Sequence, residues 1–162
     1  MRILIVSPIP ISYPPKDGHS LNVFYRSYFL KKLANIESDI IVPVSKEYPF
    51  KNLIDSGVFN NVFSYHMNSK WKSLLKSLFS SKAYTIIRCD INNNEDLKKI
   101  ISNISKNVYQ GVVFDHSFSY ALYEKLIKNL NVDNDKIIYW SHNIDYVEFR
   151  HESIESNNLF RK

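Results

Sequence analysis

The sequence predicts an α/β fold in which a mainly parallel β-sheet lies between two layers of helices. Short unbroken apolar runs, beginning with residues 3–6, suit strands that are buried on both faces. Segments with apolar residues at helical spacing alternate with these runs. Polar side chains follow the ends of several predicted strands. The predicted order β-α-β-β-α-α-β-α-β is typical of a three-layer domain.

Size and composition favour one folded domain over residues 1–162, since 44% of the chain is apolar. The net charge of +5 favours anionic partners such as phosphate, nucleic acid or membrane lipid without choosing among them. A single cysteine excludes an intrachain disulfide and fits a reducing cytoplasm. The N-terminal apolar run is too short for a signal peptide, and no apolar stretch reaches the ~20 residues of a membrane span.

The first strand, loop and helix set the frame. Residues 3–6 predict a buried strand, and four prolines between positions 8 and 15 keep the following loop out of helix and sheet. Gly18 can supply a positive φ or allow a ligand close to the backbone. A helix then follows, with its apolar face expected at Leu21, Phe24, Tyr25, Tyr28, Phe29 and Leu33. Its N-terminus, beside the strand end, suits phosphate.

The next predicted elements are a strand at residues 40–42, a loop with a short helix within 46–61, and an edge strand at 62–66. Residues 84–90 are ambiguous. A helix starts near residues 92–94, with its apolar face at Leu97, Ile100, Ile101, Ile104 and Val108.

The last predicted elements are strands at residues 111–116 and 136–142, with a helix at 120–130 between them. Residues 143–151 return towards helix.

Residues 68–84 predict a basic amphipathic helix. Its apolar face comprises Trp71, Leu74, Leu75, Leu78 and Phe79, and its lysines are Lys70, Lys72, Lys76 and Lys82. Two interpretations are open. The helix lies on anionic lipid, with Trp71 and Phe79 inserted and Lys72 and Lys76 at the surface, or it packs on the sheet with its lysines in solvent.

Candidate site residues lie just beyond predicted strand ends: Gly18, Asp115, His116, His142 and Asn143. In an open parallel sheet these ends share one edge, so we expect the residues to converge there. A histidine there can donate or accept a proton near neutral pH.

The remaining polar residues near these positions have simpler interpretations. His19 either contacts a ligand beside Gly18 or caps the first helix, and Asp17 is a turn or capping residue. His66 and His151 are expected at the surface.

The sequence lacks the motifs that mark several classes of enzyme and binding protein. The first loop is not G-x-G-x-x-G, and neither a P-loop nor a G-x-S-x-G elbow is present. The five histidines and one cysteine show no zinc spacing. No nucleic-acid-binding motif accompanies the basic charge. We therefore expect neither a bound metal nor a cofactor, and no nucleic-acid partner.

Three segments resemble the GT-B glycosyltransferases of the GT4-like group: RILIVSPIPISYPPKDGHSLNVFYRSYFLKKL, VVFDHSFSYALYEKL and IIYWSHNIDYVEFR. The resemblance implies half of a GT-B fold, namely the Rossmann-like N-terminal domain that mainly holds the acceptor. It also implies retaining, metal-independent transfer from a nucleotide-sugar to a glycan or lipid-linked acceptor.

By the same resemblance, Gly18 would lie near the donor diphosphate, His142 would contact the transferred sugar catalytically, and His116 would line the acceptor side. Two departures from the group bear on these roles. His19 replaces a second loop glycine, and Asp145 replaces a glutamate.

The resemblance covers an N-terminal domain only, and we expect the donor-binding C-terminal domain to be separate from residues 1–162. The expectation is therefore an acceptor domain that is inactive alone and works with a donor-binding partner domain. It would be cytoplasmic, with attachment to the inner face of the membrane as a further option. The alternative is a non-catalytic module that binds a membrane surface or a phosphorylated ligand.

Overall fold

The computed structural model describes residues 1–44, 50–80, 84–88, 95–116, 119, 122, 126, 128–130, 132 and 136–140. Its centre is a five-stranded, wholly parallel sheet, in the order β3-β2-β1-β4-β5. The strands are β1 (Arg2–Val6), β2 (Glu37–Pro43), β3 (Asn61–Tyr65), β4 (Gly111–Asp115) and β5 (Ile137–Trp140). The helices are α1 (Gly18–Ala34), α2 (Phe50–Asp55), α3 (Lys70–Leu78), α4 (Tyr84–Arg88) and α5 (Glu95–Ile104).

The two faces of the sheet are buried against different helices. Leu4 and Val6 of β1 face one apolar cluster, which includes three side chains of α5, whereas Ile3 and Ile5 face the other. The second cluster receives residues from α1 and α2. Alternate side chains of an unbroken apolar strand thus enter two cores. The predicted three-layer α/β fold is confirmed.

The predicted apolar face of α1 is wrong. The buried stripe is Ser20, Val23, Phe24 and Ser27, whereas most of the expected face is exposed, with Leu33 at 78%. Apolar residues occur around most of this helix, so the pattern could not select the inward side. The two serines are small, and each hydroxyl has a local hydrogen-bond acceptor.

Other predicted elements differ mainly in length. Leu97, Ile100 and Ile104 of α5 are buried as expected, but the helix ends at Ile104, and Val108 is 76% exposed. The ambiguous segment after residue 83 contains the short helix α4. The basic helix predicted over residues 68–84 is the shorter α3. Within the described part of the chain, no helix is long and apolar enough to cross a membrane.

The order in which strands are added to the sheet reverses beside β1. The chain proceeds outward from β1 to β2 and β3, then returns so that β4 pairs with the other side of β1. In open parallel sheets, ligands bind at the carboxyl ends of the strands on either side of such a switch point. That position lies between the ends of β1 and β4.

The amino end of the sheet carries a buried polar network. The carboxylate of Asp39 accepts hydrogen bonds from Arg2 Nη2 at 2.7 Å, Tyr109 Oη at 2.8 Å and Asn61 Nδ2 at 3.2 Å. Burial raises the pKa of Tyr109 far above its ordinary value, and the hydrogen bond to the Asp39 carboxylate adds to this effect. The network joins β1, β2, β3 and the segment before β4.

Candidate functional site

The start of α1 is fixed by a network of short polar side chains. Asp17 is the N-cap, and its carboxylate accepts hydrogen bonds from Ser20 N at 2.7 Å and Ser20 Oγ at 2.8 Å. Ser20 Oγ in turn accepts a hydrogen bond from Ser12 N at 2.9 Å, which ties the preceding loop to the helix. The capping role expected of Asp17 is confirmed, and Asp17 rather than His19 caps α1.

Gly18 is the exposed first residue of α1 and does not have a positive φ. The suggestion that Gly18 supplies a positive φ is therefore wrong, because the helix start needs none. A Cβ added there would have no heavy atom within 4 Å. The backbone at this position therefore remains open to an approaching molecule.

His19 joins the ends of β1 and β4. Its Nε2 lies 3.1 Å from Ser7 Oγ, directly after β1, and its Nδ1 lies 3.2 Å from Nε2 of His116, directly after β4. The two imidazole centroids are 4.9 Å apart. The switch point therefore holds a hydrogen-bonded chain of a hydroxyl and two imidazoles.

Asp115 and Arg26 lie behind the imidazoles. Asp115 is fully buried, and its Oδ1 accepts a hydrogen bond from Arg26 Nη2 at 3.1 Å. Its Oδ2 lies 3.5 Å from His19 Nδ1. The Arg26 guanidinium also lies over the Trp140 ring of β5, 4.9 Å from its centroid. We refer to Ser7, His19, Arg26, Asp115 and His116 as the histidine cluster.

His116 has an unusual backbone conformation, with a φ of 70°. This left-handed region costs a residue with a Cβ about 1–2 kcal/mol. The conformation is held by hydrogen bonds from His116 N to the Trp140 carbonyl and from Ser119 N to the His116 carbonyl, each 3.1 Å long. Strained residues of this kind concentrate at ligand sites, where neighbouring structure compensates for the strain.

The arrangement resembles a Ser-His-Asp triad, but its hydrogen bonds oppose nucleophilic catalysis. Ser7 is fully buried, and its hydroxyl donates to the Ile9 carbonyl at 2.9 Å. Ser7 Oγ therefore accepts from His19 Nε2–H, the reverse of an activated serine. In neutral His19, Nδ1 is then an acceptor for His116 Nε2–H. A protonated His19 would direct its Nδ1–H towards the Asp115 carboxylate. The cluster can thus hold a proton or bind a hydroxyl group.

Four predicted site residues, Gly18, His19, Asp115 and His116, lie at the expected edge of the sheet. His142 and Asn143 fall outside the described residues, as does His151. His66 is exposed, as expected, and its Nδ1 lies 2.7 Å from Asp96 Oδ2.

Sequence reasoning missed Ser7 and Arg26. Ser7 directly follows the first strand, and Arg26 lies two helical turns after His19 on the same side of α1, so both had a positional signal.

The predicted membrane contacts lie on or directly after α3. Trp71 and Phe79 are 75% and 89% exposed, and Lys72 and Lys76 are also exposed. Ser73 is the buried residue of α3 among those described, and the helix packs on α4. The interpretation that the apolar face of α3 packs on the sheet is therefore wrong.

Among the described residues, no group of three or more His, Cys, Asp or Glu side chains is placed to hold a metal ion. Comparisons with protein-family models, curated proteins and solved structures found no match for this chain. The functional interpretation therefore depends on the geometry of the chain itself.

Proposed function

We propose that this domain is the acceptor-binding domain of a retaining, metal-independent glycosyltransferase, with the histidine cluster as its hydroxyl-binding site. The observation that carries the proposal is the contact between His19 and His116 at the switch point. Imidazoles both donate and accept hydrogen bonds, as sugar hydroxyls require. The strained backbone of His116 places one of these rings beside the other.

In this proposal the ion pair of Asp115 and Arg26 positions the cluster and does not bind substrate directly. When a sugar hydroxyl is deprotonated, His116 would take the proton at Nδ1 and pass its Nε2 proton to His19 Nδ1, and the Asp115 carboxylate would stabilise the resulting positive charge on His19. The exposed backbone of Gly18 would lie towards the donor diphosphate. His142 and Asn143 remain proposed sugar contacts on the basis of the resemblance. A donor-binding domain would supply the nucleotide-sugar.

The acceptor role is tested by saturation-transfer NMR with oligosaccharides, UDP-glucose, GDP-mannose and inorganic phosphate as separate probes. We expect saturation of oligosaccharide protons by the unmodified chain and its loss in His116→Ala. Asp55→Ala, an exposed change on α2, is the matched control and should retain the signal. Binding of the phosphate-bearing probes alone would replace this proposal with the phospho-ligand alternative.

The expected dependence on a donor domain has its own assay. The chain alone should release little or no sugar from UDP-glucose or GDP-mannose, because the proposed donor site belongs to the partner domain. Sugar release by the isolated chain, lost in His116→Ala, would contradict the division of roles.

A further inference from the structure

The exposed side of α3 is apolar, and its flanks are basic. Five residues, which we call the α3 patch, are between 44% and 89% exposed: Trp71, Leu74, Leu75, Leu78 and Phe79. Their spacing places them on the side of the helix opposite the buried Ser73. The helix sequence contains three lysines and no acidic residue. This surface is therefore both apolar and cationic.

A pocket of about 330 Å³, lined mainly by polar residue types, adjoins this patch beside α3 and α4. Two lysines, Lys72 and Lys76, line it together with Asn68, Ser69, Ser73 and Ile87. By helical periodicity the lysines lie between the pocket and the apolar patch. A group bound in the pocket would therefore lie close to the level of the exposed aromatic rings.

Two features of the pocket suit a phosphate. Ser73 is 1% exposed, and its Oγ has no hydrogen-bond partner, which is costly for a buried hydroxyl. Ser69, the N-cap of α3, makes no side-chain hydrogen bond to the helix. The N-cap side chain therefore does not satisfy the first-turn N–H groups of α3, and such groups attract anions. Glu95 and Asp96 line a second pocket, which shares Asn68, Ser69 and Lys72 with the first. Asp96 pairs there with His66.

We propose that α3 docks the protein on a bilayer containing anionic phospholipid, with a headgroup phosphate in this pocket. The α3 patch enters the interface, and Lys72 and Lys76 remain at headgroup level. Charge complementarity favours an anionic lipid surface, because lysines flank the α3 patch. The patch also carries an aromatic residue at each end, which suits insertion into the interface. The proposal concerns a different surface from the histidine cluster and does not depend on sugar binding.

The first test is co-sedimentation with vesicles of phosphatidylcholine, with and without phosphatidylglycerol, at low and physiological salt. We expect binding to the anionic vesicles, weakened by salt. Trp71→Glu should reduce binding about tenfold or more, because a charge would enter the interface. Val108→Glu is the matched control, since Val108 is 76% exposed outside α3, and it should bind like the unmodified chain.

The second test distinguishes a specific contribution of the α3 lysines to vesicle binding from a general effect of net charge. Lys72→Ala with Lys76→Ala should reduce binding by at least about tenfold, given the attraction of each basic residue to an anionic surface. The pair Lys98→Ala and Lys106→Ala removes the same charge from exposed positions elsewhere and should have a much smaller effect. Circular dichroism of each variant verifies folding.

Three results would overturn the proposal. One is the absence of binding to anionic vesicles at low salt. Another is tight binding of inorganic phosphate or glycerol phosphate with no binding to vesicles, which would assign the pocket to a free phosphate. The third is self-association that Trp71→Glu abolishes, without vesicle binding, which would make the α3 patch a protein interface. These measurements do not involve the histidine cluster, so failure of the sugar-binding proposal would leave the membrane proposal standing, and the reverse also holds.

Discussion

A fully buried aspartate lies at each end of the sheet, Asp39 at the amino end and Asp115 at the carboxyl end. Asp39 accepts hydrogen bonds from three side chains that belong to three different parts of the fold. Asp115 pairs with Arg26 and lies 3.5 Å from an imidazole nitrogen of His19. The same residue type thus fixes strands at one end and supports titratable groups at the other.

The difference follows from what surrounds each carboxylate. The neighbours of Asp39 are a guanidinium, a phenol and an amide, none of which changes protonation near neutral pH; the pKa of Tyr109 is raised further still. The neighbours of Asp115 include imidazoles, which do change protonation there. The amino end is therefore expected to contribute stability, and the carboxyl end to bind ligand.

The largest expected effect is at the amino end. Asp39→Asn should lower the free energy of unfolding by about 3 kcal/mol, because buried donors lose a charged acceptor. Urea denaturation should show a lower midpoint with an unchanged slope. The variant should retain sugar binding under native conditions. Asp55→Asn, at an exposed position, should leave the midpoint unchanged. A fully stable Asp39→Asn would contradict the scaffold role.

The next largest effect on stability is expected at His116, the strained residue at the carboxyl end of the sheet. His116→Gly should be more stable than His116→Ala by about 1 kcal/mol, because glycine tolerates a φ of 70°. At Lys98, an exposed position within α5, the order should reverse, because alanine is the better helix former. Both His116 variants should lose sugar binding. Equal stability of the two would show that the position is not strained.

The helix cap beside His19 should contribute about 1 kcal/mol, which Asp17→Ala would lose and Asp17→Asn would largely keep. Partial burial opposes ionisation of Asp17, but hydrogen bonds from Ser20 and the nearby His19 outweigh it and lower the pKa below 3.8. Its ionisation therefore adds stability that is complete above the unfolded value. This stability is lost as the pH falls through the lower, folded pKa.

Acid titration of stability, followed by circular dichroism, separates the charge of Asp17 from its cap. The Asn variant should lose less stability than the unmodified chain between pH values just above and well below 3.8. The same acid dependence in both proteins would exclude a contribution from the Asp17 charge.

The smallest effect is expected at the surface pair of His66 and Asp96. Hydrogen bonds from the His66 ring and backbone lower the pKa of Asp96, but both groups are exposed enough for solvent to screen them. His66→Ala should therefore cost no more than about 0.5 kcal/mol near neutral pH, measured by urea denaturation. A loss as large as that of Asp39→Asn would place a second stabilising network outside the amino end.

The sequence predicted most of the fold because buried parallel strands are unbroken apolar runs. It also predicted that Gly18, Asp115 and His116 lie at one edge, because the ends of parallel strands share an edge. It did not predict that the His19 ring contacts the His116 ring. It did not predict the inward side of α1, since apolar residues occur around most of that helix. The roles of Asp39 and Arg26 depend on which strands are adjacent, and the order of segments along the chain does not give that adjacency.

The central claim is that ligand binds at the carboxyl end of the sheet, against His19 and His116. The most direct measurement follows the imidazole nitrogens of ¹⁵N-histidine-labelled protein by NMR while an oligosaccharide is added. A site at the histidine cluster requires the His19 and His116 signals to shift together, while the signal of the distant surface residue His66 stays constant. Sugar binding that leaves both cluster imidazoles unchanged would contradict the claim.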